Sequence, residues 1–224
     1  MPAKGTRIVG CISGWEQWLR MAAGQLELPC QVVELRVDSL PPQVAPADVL
    51  AHPCPKPLLV TVRDAAEGGM REMPLQERLA WVRALMPAAA MLDWEIRNLE
   101  TTPELAREAH AAGVELVASF HDFHATPRFQ DMLCRERVAR SLGADIAKFA
   151  FHLTTQADMQ TGLDLIAAAR GPIAVMGMGG GYGPSSRILY SRRGSCLAYG
   201  YLGDTPTAPG QVSAAELTQQ LRGA

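Results

Sequence analysis

The chain has 224 residues, 48% of them hydrophobic, with a formal net charge of −2 and a pI near 6.2. That composition supplies a sizeable core and lacks the basic excess of a nucleic-acid binder, and no apolar stretch reaches the roughly 18 residues of a membrane span. Five cysteines without a C-x-x-C pair suit a reduced, cytoplasmic protein with small buried thiols, and no Cys or His spacing suggests a structural zinc site.

In chain order, Met1-Pro-Ala-Lys-Gly-Thr-Arg7 leads into a short apolar strand, 7–13, rather than the longer apolar segment of a signal peptide. A helix over 14–25 carries Trp15, Trp18, Leu19 and Ala22 at helical spacing, which packs it on a sheet. Strand two covers 31–37 and is followed by a proline-rich stretch, 40–57, with one short helical piece. Strand three, 58–63, precedes a helix over 75–86 that starts after Pro74. Strand four is 91–95. Thr102, followed by Pro103, is the expected cap of a helix ending near Gly113. Strand five, 114–119, is followed by a helix over 127–142, and strand six, 146–151, by one over 156–170. Strand seven, 173–178, runs into the glycine run Gly177-Met-Gly-Gly-Gly-Tyr-Gly183. Strand eight, 195–199, precedes a helix over 213–221 that opens on the capping box Ser213-Ala-Ala-Glu216.

The eight strands are near-continuous apolar runs, as strands buried on both faces require. Eight such units alternating with helical segments read as a (β/α)8 barrel in a single domain, 1–224. An open doubly wound sheet would show a glycine fingerprint after strand one, where Gly14-Trp-Glu-Gln-Trp18 stands instead.

Only three of the 21 basic residues are lysines: Lys4, Lys56 and Lys148. Lys148 interrupts the apolar run Ala144-Asp-Ile-Ala-Lys-Phe-Ala-Phe151. Taking an ammonium out of water is costly, and a buried amine that gives up its proton is a nucleophile whose natural target is a carbonyl carbon. The plainer reading is an amine paired with a carboxylate. In a barrel, chemistry gathers at the C-terminal ends of the strands. There the sequence offers Glu34, Arg36 and Asp38 on strand two, and Arg63 with Asp64 and Glu67 after strand three. Asp93 and Glu95 follow on strand four, Ser119 and His121 on strand five, and Met176, Met178 and Arg187 around strand seven. Charges of both signs suit a polyhydroxylated acid. The glycine run departs from G-x-G-x-x-G and reads as a flexible turn bringing Arg187 to the mouth rather than a phosphate cradle. No role follows for His52, His110, His124 or His152.

With these residues placed, the chain resembles the type I 3-dehydroquinate dehydratases. The resemblance rests on an ordered set: Glu34-x-Arg36-x-Asp38, Thr61-x-Arg63 with Glu67-Gly-Gly, Asp93-x-Glu95, Ser119-x-His121-Asp-Phe with Thr126-Pro127, Ala144-Asp145-x-x-Lys148, Met178-Gly with Ser186-Arg187, Gly194-Ser195, and Ala208-Pro209-Gly210-Gln211. Tyr199 stands where that family usually has Phe, and Thr207 where it usually has Ser. The glycine loop is about one residue longer, and the family's frequent N-terminal hairpin lacks a counterpart.

The resemblance implies a (β/α)8 barrel and a lyase that dehydrates 3-dehydroquinate to 3-dehydroshikimate by syn elimination through a lysine imine. It implies Lys148 as imine former, His121 as general base and acid, and Glu67 as its orienting partner. Arg187 would hold the C1 carboxylate, with Gln211 and Thr207 hydrogen-bonding around it. Glu34, Arg36 and Arg63 would bind the C4 and C5 hydroxyls, and Met178 and Tyr199 would line the substrate. It calls for no metal or organic cofactor. A small-molecule substrate is expected, with no nucleic acid and no membrane, and a homodimer is compatible with it. Another Schiff-base lyase such as a sugar-phosphate aldolase, which would need a phosphate site, and a dehydratase-like quinate-binding regulatory module are the competing readings.

Overall fold

A computed structural model describes residues 5–179, 181–203, 206 and 211–222. Eight parallel strands alternate with helices. The strands are β1 (Arg7–Ile12), β2 (Val32–Arg36), β3 (Leu58–Thr61), β4 (Met91–Glu95), β5 (Glu115–Asp122), β6 (Ile146–His152), β7 (Ile173–Met178) and β8 (Leu197–Tyr201). The helices are α1 (Trp15–Ala22), α2 (Pro46–Leu50), α3 (Leu75–Leu85), α4 (Ile96–Leu99), α5 (Glu104–Ala111), α6 (Phe129–Ser141), α7 (Gln156–Ala168), α8 (Gly183–Arg192) and α9 (Ala214–Arg222). Consecutive strands pair in parallel from β1 to β7, and β8 returns to pair with β1. The sheet thus rolls into a nearly closed (β/α)8 barrel.

The β7–β8 seam is closed partly by a side chain. Cys196 donates its backbone N–H to Ile173 O at 2.8 Å, and Ser195 Oγ accepts from Val175 N at 2.9 Å. β8 starts at Leu197, where its backbone pairing with Arg7 of β1 begins, two residues later than its apolar pattern suggests.

Alternation along each strand splits the core. Val9, Leu59, Val117, Ile146 and Leu197 fill the barrel interior, while Leu35, Val60, Trp94, Phe149 and Phe151 pack outward beneath the helices. Trp18 and Trp81 are buried in that outer layer and Trp15 packs against it, as the helical spacing predicts. The capping box at Ser213 is present, with Glu216 N donating to Ser213 Oγ at 3.1 Å and Ser213 N to Glu216 Oε2 at 3.0 Å. The expected cap at Thr102 is not: its hydroxyl accepts from Trp94 Nε1 at 3.2 Å and donates to Asn98 O at 2.8 Å. Among the described residues no helix is long and apolar enough to cross a membrane.

Candidate active site

The C-terminal strand ends surround a cavity of about 210 Å³. Lys148 enters it from β6, where the backbone pairs with Ser119 on β5 and Ala174 on β7. The side chain is buried; Nζ donates to Asp93 Oδ2 at 2.7 Å and lies 4.2 Å from the centroid of the Tyr199 ring. Asp93 Oδ1 accepts from Arg63 Nη2 at 2.7 Å and from Ser119 Oγ at 2.6 Å. Burial pushes the Asp93 carboxyl up, but Arg63 and Lys148 prevail and hold it well below the usual carboxylate range. Lys148 therefore has the carboxylate partner of the plainer reading and still lines the cavity.

His121 stands further along β5, opposite Ala150. The strand runs on to Asp122, so His121 belongs to rigid sheet rather than to the loop after Ser119. Glu67 Oε2 accepts from the His121 backbone N at 2.9 Å and pairs with Nδ1 at 3.0 Å. A carboxylate there puts the proton on Nδ1 and leaves the Nε2 lone pair free. Burial, then the Arg63 and Lys148 charges, pull His121 well below its ordinary value, which keeps it a neutral base at neutral pH.

Glu67 closes a 3-10 turn, Ala65–Glu67, capped by Asp64, whose Oδ1 accepts from Ala66 N at 2.9 Å. Both glycines that follow are required. Gly68 sits at φ 86°, with the Phe123 ring 2.4 Å from where a Cβ would stand, and a Cβ on Gly69 would fall 2.4 Å from the Arg63 carbonyl.

Some charges the alternation assigns to the mouth lie beneath it and grip other residues. Glu95 binds Arg63 Nη1 at 2.8 Å and also Arg78; neither Glu95 nor Asp93 lines the cavity. Asp38 clamps Arg36 through Nε at 2.9 Å and Nη2 at 2.7 Å, and accepts from Met70 N at 2.9 Å. Arg36, so held, and Glu34, which accepts from Thr61 Oγ1 at 2.8 Å, face the cavity, as does Arg63.

On the opposite wall, Arg187 projects from α8. The glycine run divides between elements: Gly177 and Met178 end β7, Gly179 turns at φ 94°, and Gly183 opens α8. Ser186 Oγ ties the helix back, accepting from Gly177 N at 3.0 Å and donating to Gly183 O at 2.7 Å. Arg187 Nη1 donates to Tyr199 O at 2.9 Å, while its buried Nε has no partner among the described residues. Burial lowers the Arg187 guanidinium to about 10, the mark of a cation short of counter-charge. Tyr199, Met178 and Gln211 complete this wall, and Gln211 Nε2 lies 3.3 Å from Cys11 Sγ. Thr207 lies outside the described residues. Among the described residues no group of three or more His, Cys, Asp or Glu is arranged to hold a metal ion.

The cavity also takes in Cys11, Phe123, Ala150 and Met176, none assigned a substrate contact from the sequence. The sequence offers Met176 at the end of strand seven, while alternation along β1 and β6 puts Cys11 and Ala150 on the inner face without telling cavity from core. Burial, then Glu34, push the Cys11 thiol well above its ordinary value, so it stays protonated and inert.

A model of the family described as type I 3-dehydroquinase matches residues 16–223. A 3-dehydroquinate dehydratase of Klebsiella pneumoniae is 32% identical over 224 residues, covering 92% of this chain and 87% of that one. One from Bacillus licheniformis is 34% identical over 173 residues, covering 74% and 67%. Among solved structures, a type I 3-dehydroquinate dehydratase from Clostridium difficile with covalently modified comenic acid superposes with a TM-score of 0.86. Its identity is 25%, over 98% of this chain and 92% of that one.

Proposed function

The chain belongs to the type I 3-dehydroquinase family and is a lyase that dehydrates 3-dehydroquinate in the shikimate pathway, and we propose that Lys148 and His121 carry the chemistry. The observation behind these assignments is that an amine and a carboxylate-oriented imidazole line one cavity from neighbouring strands. The amine of Lys148 attacks the C3 ketone, and loss of water from the carbinolamine gives an iminium. The iminium is an electron sink, so it acidifies the adjacent C–H. His121 Nε2 takes the C2 proton and the electron pair passes to nitrogen as an enamine. The enamine then expels the C1 hydroxyl, which leaves as water with the proton His121 returns. Hydrolysis of the conjugated imine releases 3-dehydroshikimate and restores Lys148.

Arg187 receives the C1 carboxylate, which supplies the counter-charge its buried guanidinium lacks. The family resemblance assigns Gln211 and Thr207 to that end, while Glu34, Arg36 and Arg63, which line the cavity, take the C4 and C5 hydroxyls and Met178 and Tyr199 pack against the ring. All of it belongs to one catalytic domain. Free cysteines throughout the described chain favour the cytoplasm as its site of action. The test is appearance of the ultraviolet absorbance of the conjugated enone from 3-dehydroquinate. Wild type should turn over. Lys148→Ala should not, and His121→Ala should lose about 10²-fold or more, the scale of lost general-base catalysis. Near wild-type turnover by either variant would overturn its assignment.

A further inference from the structure

Arg97 enters none of the roles above, yet it touches Glu67, the partner of His121, from the solvent side. It sits in the short helix α4, directly after β4, with its side chain 44% exposed. Nη2 pairs with Asp64 at 2.6 Å, and Nε reaches Glu67 at 3.5 Å. Asp64 is a firm anchor: it also accepts from Ala66 N at 2.9 Å, from Arg78 Nη1 at 3.0 Å and from Asn98 Nδ2 at 3.2 Å. A line of contacts thus runs from surface to site, Asp64 to Arg97 to Glu67 to His121.

We propose that Arg97 is a positioning residue: held by Asp64, it keeps Glu67 ionised and so keeps His121 in the tautomer whose Nε2 can take a proton. The inference rests on the roles given above to His121 and Glu67. A carboxylate at Nδ1 accepts the imidazole proton. A protonated Glu67 would instead donate to Nδ1, and the remaining imidazole proton would sit on Nε2, where a base is needed. The charge on Glu67 is contested from every side. Arg63 from the end of β3 and Arg97 from α4 favour the carboxylate, as does the His121 backbone N–H from β5. Glu95 from β4 repels it, and Arg36 from β2 is spent on Asp38 and on the Gly68 carbonyl. Burial, set against Arg63, and Glu95 leave the Glu67 carboxyl raised to about 7. With the carboxyl so balanced, the added pull of Arg97 shifts the fraction of the enzyme in the active tautomer near neutral pH.

The expected effect is set by the exposure of Arg97. Partly exposed ion pairs are weak and screened by salt, so removing this one should move a titration by roughly half a pH unit. The experiment is the pH profile of kcat/KM for wild type, Arg97→Met and Arg97→Lys, each at low and high salt. The acid limb reports the free enzyme's base and its partner. In Arg97→Met it should move upward by roughly half a unit, with the plateau at higher pH unchanged; Arg97→Lys should restore it. High salt should move the wild-type limb toward that of Arg97→Met and leave the Met variant in place, a comparison within folded wild type that needs no variant to fold. Identical acid limbs, or one factor of loss at every pH, would contradict a positioning role for Arg97. Full turnover by His121→Ala would instead remove the reading on which it stands.

Discussion

Lys148 Nζ donates to Asp93 Oδ2 at 2.7 Å, and both side chains are buried in the barrel. Asp93 also holds Arg63 and Ser119, so one carboxylate fixes the amine, a cation at the cavity wall and the neighbouring strand. Removing it strands two buried cations, of which, among the described residues, only Arg63 keeps a second carboxylate, Glu95. Asp93→Ala should cost about 3–5 kcal/mol of unfolding free energy, the scale for breaking one side of a buried pair. Adding Lys148→Met should recover part of that loss in a double-mutant cycle followed by urea denaturation. Strictly additive costs would mean that the two groups are not coupled.

Glu67 couples stability to pH in the unusual direction for a carboxylate. Burial and Glu95 raise it from 4.5 to about 7, so between those values the folded protein binds more protons than the unfolded chain. Its contribution to stability is present below about 4.5 and is lost as pH rises through about 7. Glu67→Gln removes that slope. Relative to their difference at pH ~5, the variant should gain up to about 3 kcal/mol on wild type by pH ~8.5, in unfolding curves measured at both pH values. It should also lose activity, since stability is gained by removing a strained functional group. Parallel stabilities at the two pH values would show that Glu67 is not held against its charge.

Arg187 should report ligand binding more than turnover. Its Nε is buried without a partner among the described residues, and burial lowers the guanidinium to about 10. A substrate carboxylate relieves both. Arg187→Met should therefore weaken product affinity by about 30-fold or more, the loss expected from truncating one partner of a buried hydrogen-bonded charge pair. Calorimetric titration with 3-dehydroshikimate checks this, and unchanged affinity would move the carboxylate elsewhere.

The sequence made the barrel legible because strands buried on both faces must be apolar throughout: β4 and β7 fall where the apolar runs do. Helix α8 was hidden because its first turn, Gly183-Pro-Ser-Ser186, continues a glycine run, and a Pro at the first helical turn reads equally well as a loop. The charged members of the site could be read because a charge inside an apolar run needs a reason. Cys11 and Ala150 could not, since an apolar residue facing a cavity looks like one facing the core. Which charges face ligand and which grip their neighbours was likewise illegible: Asp38 and Arg36 alternate onto one side, but only the folded turn at Gly68–Met70 shows Asp38 spent on Arg36 and on backbone N–H groups. The reach of Arg97 to Glu67 joins two segments 30 positions apart and leaves no trace in spacing.

If turnover passes through a covalent imine on Lys148, borohydride reduction in the presence of 3-dehydroquinate or 3-dehydroshikimate should trap it. Reduction should inactivate the enzyme irreversibly and add the ligand's mass to the peptide containing Lys148. Lys148→Ala should neither turn over nor acquire mass. His121→Ala should still be trapped, more slowly, because the amine forms the imine and the imidazole acts chiefly afterwards. Label on Lys56, or full activity in Lys148→Ala, would rule out an imine on Lys148.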